Sequence, residues 1–247
     1  MKDQYFGDVN DYRKYGLLRA FQSRGTGRLL VAWMLTSDDG RPDGGFRSYL
    51  QNSAAWMRHD PELYTGLAAL LRTAPNPRVS LIEKSSILPR TYFYSDVVPD
   101  RLNERILWCR GLLDAAKEAD VVFVDPDNGI EVQSKPIGHK DSSKYATWQE
   151  IRDLWQTGCS IVIYQHFRHE PRAEFAAQIE SGLRECTGAK FVEALRTANV
   201  LFLLVAQPRH EILFQEAVSS FPRYETSKKE ERRWLTQFPN YSHCPRS

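Results

Sequence analysis

The feature that most restricts this chain is the run Val121-Val122-Phe123-Val124, entered from Asp120 and left through Asp125-Pro126-Asp127-Asn128-Gly129. Consecutive apolar β-formers leave no polar face, so the strand they predict must be covered on both sides, as in a parallel sheet. Parallel strands need long crossovers, usually helices. The flanking sequence supplies them. Helical spacing is found over 8–23, 61–71, 102–118, 145–155 and 173–186, and short apolar runs over 29–35, 79–82, 121–124 and 160–164 read as strands. Residues 92–94 add a third strand in chain order, or aromatics of a loop. The runs 191–195 and 200–205 lie too close for a parallel crossover and predict an antiparallel pair at one edge of the sheet. The predicted fold is therefore a doubly wound α/β domain: a mostly parallel, Rossmann-like sheet with a C-terminal antiparallel hairpin, and 121–124 as an interior strand.

A length of 247 residues suits one such domain, with 1–28 as its N-terminal helical segment and 224–247 as a charged tail. A hydrophobic share of 42% excludes a chain too polar to fold. The 33 Lys and Arg against 31 Asp and Glu give a net charge of +2, which excludes a strongly basic nucleic-acid coat but leaves a local basic patch open. Cys109, Cys159, Cys186 and Cys244 are far apart without a CxxC spacing, which argues against a zinc site or a disulfide framework and for a reducing compartment. Lys2-Asp3-Gln4 leads into no apolar run, so no signal peptide is expected, and no stretch nears the ~18 apolar residues of a membrane span. The expected setting is the cytoplasm, with no membrane.

Ligands of open α/β sheets bind beyond the carboxyl ends of the strands. That rule singles out the 36–45 loop, Glu83, the turn 125–129 and Tyr164-Gln165-His166. Asp, Pro, Asn and Gly are what a plain turn needs, and Asp125 could cap it by bonding the amides of Asn128 or Gly129. Directly after a buried strand, the same carboxylate would be held rigidly at the ligand face. Glu83, ending an apolar run, is either a surface residue or the carboxylate that bonds ribose hydroxyls. Gly40, Gly44 and Gly45 do not form a GxGxxG phosphate cradle. His166 and His169 lack obvious further metal ligands, and no metal is predicted. Arg168, His169 and Arg172 could meet phosphate or be ordinary surface. Asp127, Glu131 and Lys135 imitate a metal-dependent nuclease pattern, but Gln133 stands where the Lys belongs, and the four-residue spacing spreads the last two anchors to roughly 13 Å on an extended strand.

With these elements placed, the chain resembles the class I S-adenosylmethionine-dependent methyltransferases, and among them the bacterial 23S rRNA adenine-N6 methyltransferases and the three-Cys-motif partner proteins. The opening Asp and Lys-His of those families are loosely matched by Asp11-Tyr12-Arg13-Lys14-Tyr15. Their first strand and Gly-containing loop fall on Val31-Ala32-Trp33-Met34-Leu35-Thr36 and the stretch to Gly45. Acidic positions fall on Glu83 and Asp96, and the Asp-Pro-Pro-Tyr motif on Asp125-Pro126-Asp127-Asn128. Three departures stand out: Tyr15 replaces the His, the tight Gly-x-Gly is missing, and Asp127-Asn128 replaces Pro-Tyr. The resemblance implies S-adenosylmethionine as cofactor, with Lys14, Tyr15, Thr36, Asp38, Gly40, Glu83 and Asp96 around it. It implies Asp125, Pro126, Asp127 and Asn128 as the catalytic turn. There Asp125 and the Pro126 carbonyl would accept hydrogen bonds from a target amino group, which is a matter of positioning. Without the aromatic ring an extruded adenine would lose about 1–3 kcal/mol of stacking, unless Tyr164 or Phe167 supplies a ring. The resemblance also brings the opening helix, with Tyr12, Lys14 and Tyr15, to the cofactor side of the sheet.

The sequence thus carries one reading as a methyltransferase acting on an amino group of a nucleic acid. A second makes it a catalytically degenerate Rossmann-like module that binds a protein partner, and the nuclease comes third.

Overall fold

The computed structural model describes residues 1–25, 27–38 and 46–222. Gly40, Gly44 and Gly45 of the polar loop, and the charged tail with Cys244, lie outside the described residues. Asp8 accepts hydrogen bonds from the Asn10 and Asp11 amides and so caps α1 (Val9–Ser23), satisfying donors that a helix start leaves open. The strand β1 (Leu29–Ala32) is buried throughout. After it come the short helix α2 (Ser53–Trp56), α3 (Pro61–Thr73) with its Asp60 cap and Pro61 in the first turn, and α4 (Ser80–Glu83). Then β2 (Thr91–Tyr94), α5 (Leu102–Ala116) and β3 (Val121–Val124) follow. Two short strands, β4 (Gly129–Ile130) and β5 (Tyr145–Ala146), pair with each other outside the main sheet. The chain continues through α6 (Trp148–Gln156), β6 (Ser160–His166), α7 (Arg172–Thr187), β7 (Phe191–Arg196), β8 (Val200–Ala206) and α8 (Glu211–Ser220).

The main sheet has six strands in the order β2-β1-β3-β6-β8-β7. The first four are parallel, and β8 runs antiparallel to both β6 and β7. This is the expected mostly parallel sheet with its antiparallel hairpin, and β3 is interior. Each face carries its own apolar layer. Alternating residues of β1, Leu29 and Val31 against Leu30 and Ala32, point into opposite layers, as the period of a strand requires. Strand order reverses between β1 and β3, so the switch point lies beyond Ala32 and Val124.

One element differs from the sequence reading. Residues 79–82 are not a strand: Val79 leads into α4, and Glu83 is its last residue. The Val79 amide donates to Asp3 Oδ1, and Glu83 closes a helical bond on the Val79 carbonyl. A short apolar run has no period of its own, and here local bonds decided for the helix. The second strand of the sheet is instead Thr91–Tyr94. Residues 145 and 146 likewise belong to β5, and the helix starts after Thr147, which forms a capping box with Glu150.

Candidate functional site

At the carboxyl ends of the parallel strands, side chains from α1, from the segment after β1, from the turn after β3 and from β6 form one buried cluster. Asp125 follows β3 directly and is 1% exposed. Its Oδ2 accepts from Lys14 Nζ at 2.8 Å, while its Oδ1 is buried and has no partner. Lys14 reaches this point from α1, and also bonds Asp11 Oδ1 at 3.2 Å and lies 4.2 Å from the centre of the Tyr164 ring. Asp11 Oδ2 in turn accepts from the Gly7 amide at 2.8 Å. The Tyr15 hydroxyl is a second buried polar atom without a partner. The amino group of Met1 donates to the carbonyls of Trp33, Met34 and Asp125, and lies 3.5 Å from Asp127 Oδ1. Thr36 closes the floor by donating to Asp127 Oδ2 at 2.9 Å. Met34 reaches this floor with φ at 46°, a left-handed conformation uncommon outside glycine.

The electrostatics follow from burial. Desolvation pushes the Asp125 and Asp8 carboxyls up against the pull of Lys14, and pushes Asp11 up to about 6. Asp127 is also buried, yet the Met1 amino group, the Thr36 hydroxyl and Lys2 hold it below the ordinary carboxylate value. Lys14 stays well above its usual range, because Asp125 and Asp11 outweigh its own desolvation. His166, half-buried and edge-on to Tyr164, is driven down to about 4 by burial and by Lys14.

Gln165 is the residue that sequence reading noted without giving it a role. Fully buried, it clamps the 125–129 turn: its Oε1 accepts from the Ile130 amide at 2.7 Å, and its Nε2 donates to the Asn128 and His166 carbonyls. Gly129 sits at φ 105°, and a Cβ there would come within 2.3 Å of the Gln165 amide, so this turn requires glycine. The visible signal was an amide side chain following the apolar run of β6. The turn is thus held by Gln165 and by the Asn128 amide donating to Lys144, and not by the Asp125 side chain. The capping alternative for Asp125 is not realised, since the Asn128 amide donates to the Lys144 carbonyl and Asp125 Oδ1 has no partner.

The other predicted positions divide. Lys14 meets Asp125, and Tyr15 joins the cluster. Tyr12 does not: its hydroxyl donates to the Trp56 carbonyl, and its ring packs among Tyr49, Trp56 and Tyr64. Glu83, although helical, lies at the carboxyl ends of β1 and β2, where its Oε1 accepts from Trp33 Nε1 at 2.9 Å and Ser95 Oγ at 2.5 Å. Asp96 is exposed beyond the end of β2, and Asp38 is exposed and bonded to the Gln4 amide and Arg78. Asn128 is exposed. Neither candidate ring stands ready to stack a base, because Tyr164 is buried under Lys14 and Phe167 packs on Phe175 with Arg172 over its face. Arg168 donates to the Ile130 and Glu131 carbonyls. Glu131 accepts from the Trp148 amide and Lys135 donates to the Lys140 carbonyl, so both are tied to the loop and to α6. Among the described residues no group of His, Cys, Asp and Glu is arranged to hold a metal, and no helix is long and apolar enough to cross a membrane.

No protein-family model matches the chain, and no curated protein matches its sequence. Among solved structures it is similar to protein LPL1258 from Legionella pneumophila str. Philadelphia 1, described with the family model DUF519, at 12% identity and a TM-score of 0.42, over 88% of this chain and 93% of that one. It is also similar to human methyltransferase-like protein 13 in complex with SAH, at 12% identity and a TM-score of 0.34, over 90% of this chain and 96% of that one.

Proposed function

We propose that the carboxyl ends of β1 and β3 form a cofactor and substrate site, and that the chain is a methyltransferase-like protein using S-adenosylmethionine on an amino group of a nucleic acid. The observation that carries this reading is Asp125 Oδ1, a buried hydrogen-bond acceptor without a donor at the switch point of the sheet. Leaving such an atom unpaired costs about 1–3 kcal/mol, and a ligand N–H would recover it. Lys14 holds the other oxygen, so the carboxylate cannot rotate away. Glu83, braced through Oε1 by Trp33 and Ser95, is the rigid carboxylate at the place where ribose hydroxyls bind. When bound, the cofactor supplies an electrophilic methyl group. The chain's own part is to accept from the target amine at Asp125 Oδ1 and so orient the nitrogen lone pair.

A second reading, a binding module without catalysis, is favoured by two observations. Lys14 already neutralises Asp125, and neither Tyr164 nor Phe167 is free to stack an extruded base. Calorimetric titration with S-adenosylmethionine separates the two. Binding that is lost in Glu83→Ala supports the methyltransferase reading. Absence of binding to the wild-type chain removes it and leaves the module.

A further inference from the structure

Among the described residues, the exposed large hydrophobic side chains are not scattered. Tyr92, Val97, Leu102, Ile106 and Leu107 all fall between the start of β2 and the middle of α5, and only Ile212 lies elsewhere. Scattered apolar residues need no explanation, whereas a contiguous patch marks a contact surface. This patch borders β2, an edge strand of the main sheet. Edge strands are normally blunted by charges or proline, yet the outer side of β2 offers Thr91-Tyr92-Phe93-Tyr94, without either.

We propose that this edge is the interface of a symmetric dimer, in which β2 pairs antiparallel with β2 of a second copy of the chain. The register follows from the backbone. The Tyr94 carbonyl bonds Trp33 of β1's extension, so Tyr92 and Tyr94 turn their backbone groups inward. Thr91, Phe93 and Ser95 then turn theirs outward, toward the open edge. The chain keeps the same parallel offset from Leu29↔Thr91 to Leu35↔Val97, so the pairing edge extends past Tyr94. Centring the two-fold axis on Phe93 pairs Phe93 with itself and Thr91 with Ser95 of the other copy, all through outward groups.

Charge complementarity selects this register. It sets Arg90 of each copy across from Asp96 of the other, on both sides of the axis. Both residues are exposed. Arg90, with φ at 54°, lies in the turn that enters β2, and Asp96 lies past its end, so each charge flanks the paired segment. Tyr92 and Tyr94 share the strand face under α5, since the Tyr94 hydroxyl donates to the Trp108 carbonyl. A two-fold axis through the edge keeps the two α5 helices on one face of a continuous sheet. Leu102, Ile106 and Leu107 would thereby be brought toward their own counterparts, as an isologous interface requires. Ser95 pairs through its backbone while its hydroxyl stays on Glu83, and Asp125 and Lys14 take no part in this contact.

Sedimentation equilibrium of the full chain tests the proposal. The wild-type chain is expected to dimerise at micromolar concentration. Leu107→Glu, Arg90→Asp and Asp96→Arg should each weaken association at least about tenfold, the equivalent of about 1.4 kcal/mol, with unchanged Tm. The double variant Arg90→Asp with Asp96→Arg should recover association, because the pair is restored with its signs exchanged. A wild-type chain that stays monomeric overturns the proposal, and so does a dimer indifferent to all of these substitutions or a charge swap that does not restore association. None of these outcomes bears on cofactor binding, which is read separately by calorimetry.

Discussion

Arg105 and Glu150 meet through two parallel bonds, Nε to Oε1 at 2.6 Å and Nη2 to Oε2 at 2.8 Å, whereas Lys14 touches Asp125 through one contact at 2.8 Å. Both pairs are almost wholly buried. Around the first, nearly all polar capacity is used. Arg105 Nη2 also donates to the Tyr145 carbonyl, and Glu150 closes the capping box of α6 with Thr147. Only Arg105 Nη1 is left over, on a guanidinium that lies 4.8 Å from the Trp108 ring centre. This pair fastens α5 to α6. Around the second, Asp125 Oδ1 and the Tyr15 hydroxyl remain without partners, and Asp11 shares the one lysine. Burial of charge is equally complete in the two places, and saturation of the hydrogen bonds is what distinguishes them. A saturated pair is a fastener. An unsaturated one keeps a directed acceptor for a ligand, at a cost in stability.

The largest effect should come from breaking the fastener. Glu150→Ala leaves the Arg105 guanidinium buried and removes the α6 cap, and should cost about 3–5 kcal/mol in urea unfolding. Asp125→Asn should cost less, about 1–3 kcal/mol, because Asp11 still faces Lys14, and it should slow methyl transfer while cofactor binding is kept. Equal costs for the two substitutions would show that the switch-point pair is also a fastener, and the distinction would fall.

The smallest effect is in pH dependence. Asp11 is raised to about 6 in the fold, so between pH 4 and 6 the folded chain holds more protons than the unfolded one, and stability rises as pH falls through this window. His166, lowered to about 4, acts oppositely: it is protonated first in the unfolded chain, and stability falls as pH drops from 6.5 toward 4. The two groups therefore oppose each other in the wild-type chain. Relative to it, Asp11→Asn should tilt the profile toward lower stability on acidification, and His166→Gln toward higher, each by up to about 1.4 kcal/mol per pH unit. Parallel profiles for the two variants would show that the cluster is not buried as described.

Much of the site was legible because strand ends are legible. The run 121–124 and its turn placed Asp125 at the carboxyl end of an interior strand, and the resemblance brought the opening helix with Lys14 to the same side of the sheet. Glu83 arrived at the carboxyl ends of β1 and β2 although the strand predicted to carry it is a helix, since Trp33 and Ser95 fix the carboxylate directly. Gln165 was named without a role because its function is to satisfy the backbone of a turn that is distant in sequence.

By itself the sequence determined the order of elements, the buried parallel strands and the antiparallel hairpin, because hydrophobic period and link length are local properties. Only the tertiary structure decided that Lys14 is shared between Asp125 and Asp11, that Asp127 is held by Thr36 and the Met1 amino group, and that Tyr12 packs among aromatic rings while Tyr15 joins the cluster. Those outcomes depend on which side chain reaches a buried charge first when segments more than a hundred residues apart are brought together, and a buried charge accepts whichever partner the packing delivers.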